Sequence, residues 1–110
     1  MARLNYLELP TADLAASRAF YTAAFAWTFA DYGPDYAATT TGDTDLGIDA
    51  SPDRVAQPLP VVEVDDLAAV QAAVETAGGT ITVPVFAFPG GRRFHFRDPD
   101  GHELAVMQAN

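Results

Sequence analysis

The chain carries an internal repeat with an offset of 53 residues. The segment DLAASRAFYTAAFAW (13–27) aligns with DLAAVQAAVETAGGT (66–80). Self-similarity at a fixed spacing indicates that each copy is one supersecondary unit that buries its apolar face against a neighbour. The repeat therefore predicts two similar halves within this chain of 110 residues.

Each copy has the pattern of an amphipathic surface helix. In the second copy, Leu67, Val70 and Val74 recur at helical spacing and form one apolar stripe. Asp13 and Asp66 stand at the two helix starts, where a carboxylate caps free backbone N–H groups. The pair Gly78-Gly79 marks the end of the second helix.

Strand patterns surround both helices. One strand precedes each helix and three follow it, at 4–9, 27–32, 36–41 and 45–49 in the first half and at 59–64, 80–86, 92–97 and 103–108 in the second. The predicted fold is therefore α+β, with a βαβββ module at about 3–49, a linker at 50–58 and a second βαβββ module at about 59–108. One module can bury only one face of a small sheet, so we expect the two to form a single domain.

The amino-acid composition argues against several classes of function. The net charge is −9, with six arginines and no lysine, which argues against a nucleic-acid partner. The absence of cysteine excludes thiolate chemistry, and the absence of lysine excludes a Schiff base formed by this chain. No apolar run approaches the roughly 20 residues of a membrane span, and no export signal is visible, so we expect a cytoplasmic protein.

Three motifs resemble the vicinal oxygen chelate superfamily, which includes glyoxalase I, bleomycin-resistance proteins and extradiol dioxygenases. They are ELPTADLAASRAFYTAAFAW (8–27), VVEVDDL (61–67) and FRDPDGHELAVMQ (96–108), and the resemblance extends over residues 3–108. It implies a mixed sheet curved into a trough, with the helices outside and a ligand cavity inside. It also implies a homodimer, since small members of the family commonly form one.

The resemblance places the family's metal ligands at Tyr6, Leu59 and Ala105. Leucine and alanine have no donor atom, and a phenol is an uncommon ligand for the metals concerned. We therefore expect no metal and no other cofactor.

Two polar segments near the carboxyl end have competing interpretations. His102 and Glu103 follow the DPDG turn and are neighbours whose side chains diverge, so we interpret them as the polar collar of a hairpin rather than a metal site. Strand alternation nevertheless places Glu103 on the trough face, near its rim. The segment FPGGRR (88–93) is either a six-residue hairpin loop, which we favour, or a cradle for an anion.

The residues implied for the inner face of the trough are the candidate ligand-binding residues: Tyr6, Glu8, Val61, His95, Glu103 and Met107. Glu8 is either a buried general base or binder of a cationic ligand, or a half-exposed strand residue paired with an arginine. His95 either points into the cavity, with Phe94 and Phe96 on the helix side, or lies satisfied on the polar face of a hairpin. Trp27 and Tyr36 either wall a pocket or belong to the core or a subunit contact.

Three functions follow as hypotheses. The favoured one is a metal-free module that binds a small molecule, of aromatic or cationic character. The alternative is a metal-free lyase or isomerase, related to lactoylglutathione lyase, in which Glu8 or His95 moves a proton. A third is a protein whose cavity has collapsed and which acts through a subunit surface.

Overall fold

The computed structural model describes all residues from Met1 to Asn110. The elements in chain order are β1 (Arg3–Pro10), α1 (Leu14–Phe25), β2 (Phe29–Asp31), β3 (Tyr36–Thr39), β4 (Asp45–Asp49), β5 (Leu59–Glu63), α2 (Leu67–Thr76), β6 (Thr80–Phe88), β7 (Gly91–Arg97) and β8 (Glu103–Ala109). The predicted α+β class and the predicted order βαβββ in each half are confirmed. Neither helix has the length and apolar character that crossing a membrane requires.

The chain forms two compact units. The first unit is Tyr6–Leu59, and the second unit is Pro60–Asn110 together with Met1–Asn5. Residues 1–5 thus belong to the second unit, although the repeat pattern assigns residues 3–5 to the first module. Within the second unit, Asn5 donates a hydrogen bond to Glu63.

Both units use the same strand arrangement. In the first unit β1 pairs with β4 in parallel, and β3 pairs with β4 and with β2 in antiparallel fashion. In the second unit β5 pairs with β8 in parallel, and β7 pairs with β8 and with β6 in antiparallel fashion. The first strand of each module therefore lies beside its last one, because the helix carries the chain across as a parallel connection requires.

The helix starts agree with the sequence. The Asp13 carboxylate accepts a hydrogen bond from the Ala16 N–H, and the Asp66 carboxylate accepts one from the Ala69 N–H. After α2 the chain turns through Gly78 at φ +102°, a conformation that glycine adopts without strain.

One apolar core lies under each helix. In the first unit Leu14 and Tyr21 of α1 pack on a buried cluster of Phe29, Ala37, Leu46 and Ile48. In the second unit the predicted stripe of α2 packs on Phe94 and Val106. Each helix therefore covers one face of its strands, and the polar candidates are carried on the opposite face.

Three predicted boundaries are wrong, and in the first of them the strand expected at 36–41 ends at Thr39. The strand expected at 27–32 is only Phe29–Asp31 long, so Trp27 lies outside it. The loop expected at 88–93 is a short turn, because β6 continues to Phe88 and β7 already begins at Gly91. The backbone pairing of Phe88 with Gly91 and of Ala87 with Arg92 extends the hairpin over residues that composition assigns to a loop.

The loop between β3 and β4 is organised by a single carboxylate. Asp45 accepts hydrogen bonds from the Thr39 hydroxyl and from the N–H groups of Thr41 and Gly42. Burial acts to raise the pKa of Asp45, but these donors outweigh it and hold the pKa below its ordinary value.

Asp45→Asn is expected to lower the free energy of unfolding by about 1 kcal/mol at neutral pH, because an NH2 donor replaces one of the two oxygens that accept hydrogen bonds from the loop. The folded-state pKa is the lower one, so this stabilisation is present above the unfolded-state pKa of about 3.9 and is lost as the pH falls through the folded-state value. Urea unfolding of both proteins across the acid range measures the difference, with Asp53→Asn in the linker as a control. A difference in unfolding free energy between the two proteins that stays constant with pH would contradict this prediction.

Candidate functional site

Three polar candidates of the first unit meet on the face opposite α1. Tyr6 and Glu8 are two residues apart on β1, so they point to the same side. The Tyr36 hydroxyl on β3 lies 2.5 Å from the Tyr6 hydroxyl and donates to Glu8 Oε1 at 3.1 Å. Glu8 is only 3% exposed, so its interpretation as a half-exposed strand residue is wrong.

Gly47 of β4 makes this meeting possible. It lies between the two tyrosines, because it pairs with Glu8 on one side and with Ala38 on the other. A Cβ atom at position 47 would lie 2.0 Å from the Tyr6 hydroxyl oxygen and 2.1 Å from that of Tyr36. The two phenols therefore extend over β4 only because this residue has no side chain.

The hydrogen bonds in this cluster have a fixed direction. A phenol carries one proton, and Tyr36 gives its proton to Glu8, so Tyr6 must be the donor between the two tyrosines. Burial raises the pKa of the Tyr36 phenol far above its ordinary value, and the charge of Glu8 adds to the shift. Tyr36 accordingly remains a donor to Glu8 throughout the physiological pH range. The cluster forms a chain from Tyr6 through Tyr36 to the Glu8 carboxylate.

A second polar group lies in the second unit, on the face opposite α2. His95 of β7 is 4% exposed, and its Nδ1 atom lies 3.6 Å from Glu103 Oε2 on β8. The Thr82 hydroxyl of β6 donates to the same carboxylate oxygen at 2.8 Å. Phe94 is in the core under α2, so strand alternation places His95 on the other face, as predicted.

Aromatic and cationic groups adjoin His95. The Phe86 ring lies 5.9 Å from the imidazole, and the Arg93 guanidinium lies 5.3 Å from the Phe86 ring and 5.6 Å from the Phe88 ring. Such stacking holds a guanidinium in place. Sequence reasoning missed the stacking of Arg93 on the two rings, because Phe86 was expected at a strand end and both Phe88 and Arg93 in a loop. The alternation of Phe86 and Phe88 along one strand was the signal available.

Glu103 has a different setting from its neighbour His102. His102 is exposed, and its Nδ1 atom lies 3.3 Å from the carboxylate of Asp98. Asp98 also accepts from the His102 N–H, which fixes the DPDG turn and helps to hold the pKa of Asp98 below its ordinary value. The collar interpretation therefore holds for His102. It is wrong for Glu103, which is half-buried between Thr82 and His95.

Val61 and Met107 lie on the same face as His95 and contribute apolar side chains to it. Val61 pairs with Ala105, which in turn pairs with His95. Met107 pairs with Glu63 and with Arg93. Paired residues on adjacent strands point to the same side, so these two supply apolar surface beside the histidine and the arginine.

Trp27 does not join either polar cluster. Its ring stacks on Tyr21 and packs against Phe25, both on α1, at centroid distances of 5.9 and 4.9 Å. Tyr21 packs on the core of the first unit, whereas Tyr36 points to the opposite face. Trp27 is thus part of a half-exposed aromatic group at the end of α1, apart from the Glu8 cluster.

The residues at the family's metal-ligand positions do not fit a divalent ion. Leu59 and Ala105 are fully buried apolar side chains, and the Tyr6 hydroxyl is engaged with Tyr36. No group of three or more histidine, aspartate or glutamate side chains converges on one point. A protein site for such an ion needs at least three converging donors, and these positions do not supply them.

Comparisons with family models and with individual proteins identify relatives of this chain. The sequence-family model of the Glyoxalase/Bleomycin resistance protein/Dioxygenase superfamily matches residues 3–106 of this chain. The protein named "Putative glyoxylase CFP32" from Mycobacterium bovis is 31% identical over 96% of this chain. The match covers 45% of that relative, so the chain spans less than half of its length.

Two solved structures share the fold. A glyoxalase/bleomycin resistance protein/dioxygenase superfamily member from Vibrio splendidus has a TM-score of 0.73 at 16% identity, with all of both chains covered. The Mn(II)-bound glyoxalase from Novosphingobium aromaticivorans has a TM-score of 0.71 at 22% identity, covering 98% of this chain and 40% of that one. On the match over residues 3–106, the chain belongs to the glyoxalase/bleomycin resistance protein/dioxygenase superfamily.

Proposed function

We propose that this protein binds a small molecule without the usual divalent metal, through the cluster of Tyr6, Tyr36 and Glu8. The observation that supports this most is the buried Glu8 carboxylate with its chain of two phenols over Gly47. Burying a carboxylate and two hydroxyls costs free energy that an apolar strand would avoid, so such a cluster is a functional candidate. Its acidic and aromatic groups suit a ligand that is cationic, aromatic or both.

This proposal is tested by calorimetric titration of the protein with small-molecule probes, in a buffer that contains a chelator to remove divalent metal ions. Benzyltrimethylammonium is the cationic aromatic probe, and benzyl alcohol is the neutral one. We expect saturable binding, with the tyrosine ring signals of the first unit shifting in NMR spectra. Glu8→Gln is expected to weaken binding of the cationic probe by about 10-fold or more, since a hydrogen bond or ion pair to a charged group contributes about 1.5–3 kcal/mol.

Glu75→Gln on the exposed face of α2 is the matched control and should leave binding unchanged. Binding that appears only after a divalent metal is added would overturn metal independence. If neither probe binds in a saturable way, the proposed ligand chemistry is wrong.

A second candidate function is a metal-free lyase or isomerase that uses Glu8 or His95 for proton transfer. The burial of both side chains favours it, because general bases are commonly found in sites removed from solvent. A variant of the reacting residue, Glu8→Gln or His95→Gln, is then expected to lose turnover while ligand affinity remains. Loss of affinity and turnover together would instead indicate a binding residue.

We further propose that the protein acts as a homodimer in the cytoplasm. Phe20 and Phe25 of α1 and Trp27 just after it are exposed aromatic side chains, and aromatic residues are enriched at subunit contacts. Sedimentation equilibrium should give twice the mass of the chain, and a monomer at all concentrations would contradict the dimer.

A further inference from the structure

The second unit contains a buried histidine with one ring nitrogen directed at a carboxylate. His95 Nδ1 lies 3.6 Å from Glu103 Oε2. The two residues are diagonal neighbours on adjacent strands, because Ala105 pairs with His95 and Glu103 pairs with Arg97. A separation of 3.6 Å is longer than a hydrogen bond, but pairs of this kind are often loose without a ligand and tighten when one binds.

The carboxylate is itself held in place by β6. Thr82 donates to Glu103 Oε2, the same oxygen that faces the imidazole. Thr82 lies where the pairing of β6 with β7 shifts register, between Ile81 and Val83. Such irregularities re-aim side chains, and here the irregularity brings a hydroxyl to the carboxylate. An ionised carboxylate is an acceptor only, so it can take hydrogen bonds from both Thr82 and His95.

We propose that Glu103 is a positioning residue that keeps the proton of neutral His95 on Nδ1, so that Nε2 is the atom that accepts a proton from a ligand. Thr82 in turn holds Glu103. This inference rests on the second candidate function and deepens it, because it selects His95 rather than Glu8 as the base. A base whose second nitrogen is oriented by a carboxylate is a recurrent catalytic arrangement.

The ligand class that fits is a small molecule with a weakly acidic hydrogen on nitrogen, oxygen or activated carbon. The bond between this hydrogen and the ligand atom that carries it breaks, and the electron pair of the bond stays on the ligand atom. The proton bonds to His95 Nε2, and the resulting imidazolium is stabilised by the Glu103 carboxylate on its other side.

The ring that adjoins the imidazole lies at the surface. Phe86 is 37% exposed and belongs to β6, which pairs with β7 alone in this unit and does so irregularly. Its ring can therefore move without disturbing the core under α2, which does not contain Phe86. A ligand would reach His95 by displacing Phe86.

Nitrogen-15 NMR of the imidazole rings tests the proposal directly, because the chain has only two histidines and His102 is exposed. The spectra are recorded at about pH 8, which is above the ordinary histidine pKa of about 6.5. The spectrum of the unmodified protein should show the proton of His95 on Nδ1. Glu103→Ala should remove this preference, Thr82→Val should weaken it, and Thr82→Ser should retain it because the hydroxyl remains.

Asp100→Asn is the matched control, since Asp100 lies 3.9 Å from His102 and should affect only that ring. A proton on Nε2 of His95 in the unmodified protein would overturn the proposal, as would a tautomer that Glu103→Ala leaves unchanged. The measurement needs no ligand. If the tautomer is as expected but no turnover is found, the second candidate function fails and the positioning role of Glu103 stands.

Discussion

Replacing Gly47 with alanine is expected to break the cluster of Tyr6, Tyr36 and Glu8 while leaving the chain folded. The new Cβ would overlap both phenol oxygens, so the rings must swing away and lose their mutual hydrogen bond and the bond to Glu8. Overpacking and the loss of the donor to a buried carboxylate each cost about 1–3 kcal/mol. Thermal or urea unfolding measures the loss, and the probe titration described above should show that binding is abolished.

A variant series separates this steric cause from a general effect of alanine in β4. The background Tyr6→Phe, Tyr36→Phe lacks both hydroxyl oxygens that approach position 47 most closely. Adding Gly47→Ala to this background should therefore cost clearly less than adding it to the unmodified protein, and the coupling energy gives the difference. Equal costs in the two backgrounds would show that the phenol oxygens are not the reason for glycine, leaving the ring carbon of residue 36, at 2.8 Å from the new Cβ, or the backbone of β4.

Phe94→Ala is expected to have the largest effect on stability. Phe94 is 0% exposed and packs with Val64, Leu67 and Val106 in the core of the second unit. Truncating a buried phenylalanine to alanine costs about 3–5 kcal/mol through the lost burial and the cavity that remains. Native domains have only about 5–15 kcal/mol of stability, so urea unfolding should show a transition at much lower urea concentration.

Phe20→Ala is the matched control for this measurement, because the same residue type is 62% exposed on α1. Its expected cost is below about 1 kcal/mol, since its ring contacts only Tyr21 among the aromatic side chains. A comparable loss in both variants would contradict the assignment of Phe94 to the core.

Local patterns in the sequence were sufficient to predict the elements and their order. The repeated Asp-Leu-Ala-Ala segments begin both helices, because Asp13 and Asp66 bind N–H groups three residues later, within their own segments. The apolar stripe of α2 likewise predicts which side of that helix meets the strands. Such features depend on neighbours a few residues away, and a linear pattern contains them.

Irregular pairing could not be predicted in this way. The hairpin of β6 and β7 extends to Phe88 and Gly91, and its register shifts on either side of Val83. These features depend on the hydrogen bonds available from the partner strand. They decide that Phe86 lies over His95 and that Thr82 reaches Glu103.

The sequence by itself therefore determined two βαβββ modules and their helix starts, and strand alternation put Glu8 on the side of Tyr6 and His95 opposite Phe94. Only the tertiary structure decided that Tyr36 crosses Gly47 to reach Tyr6 and Glu8, that Trp27 stays apart with α1, and that Glu103 faces His95. The physical reason is the distance along the chain. Strand alternation sets the direction of a side chain locally, whereas contacts between residues as far apart as Glu8 and Tyr36 depend on the order and register of the strands that separate them.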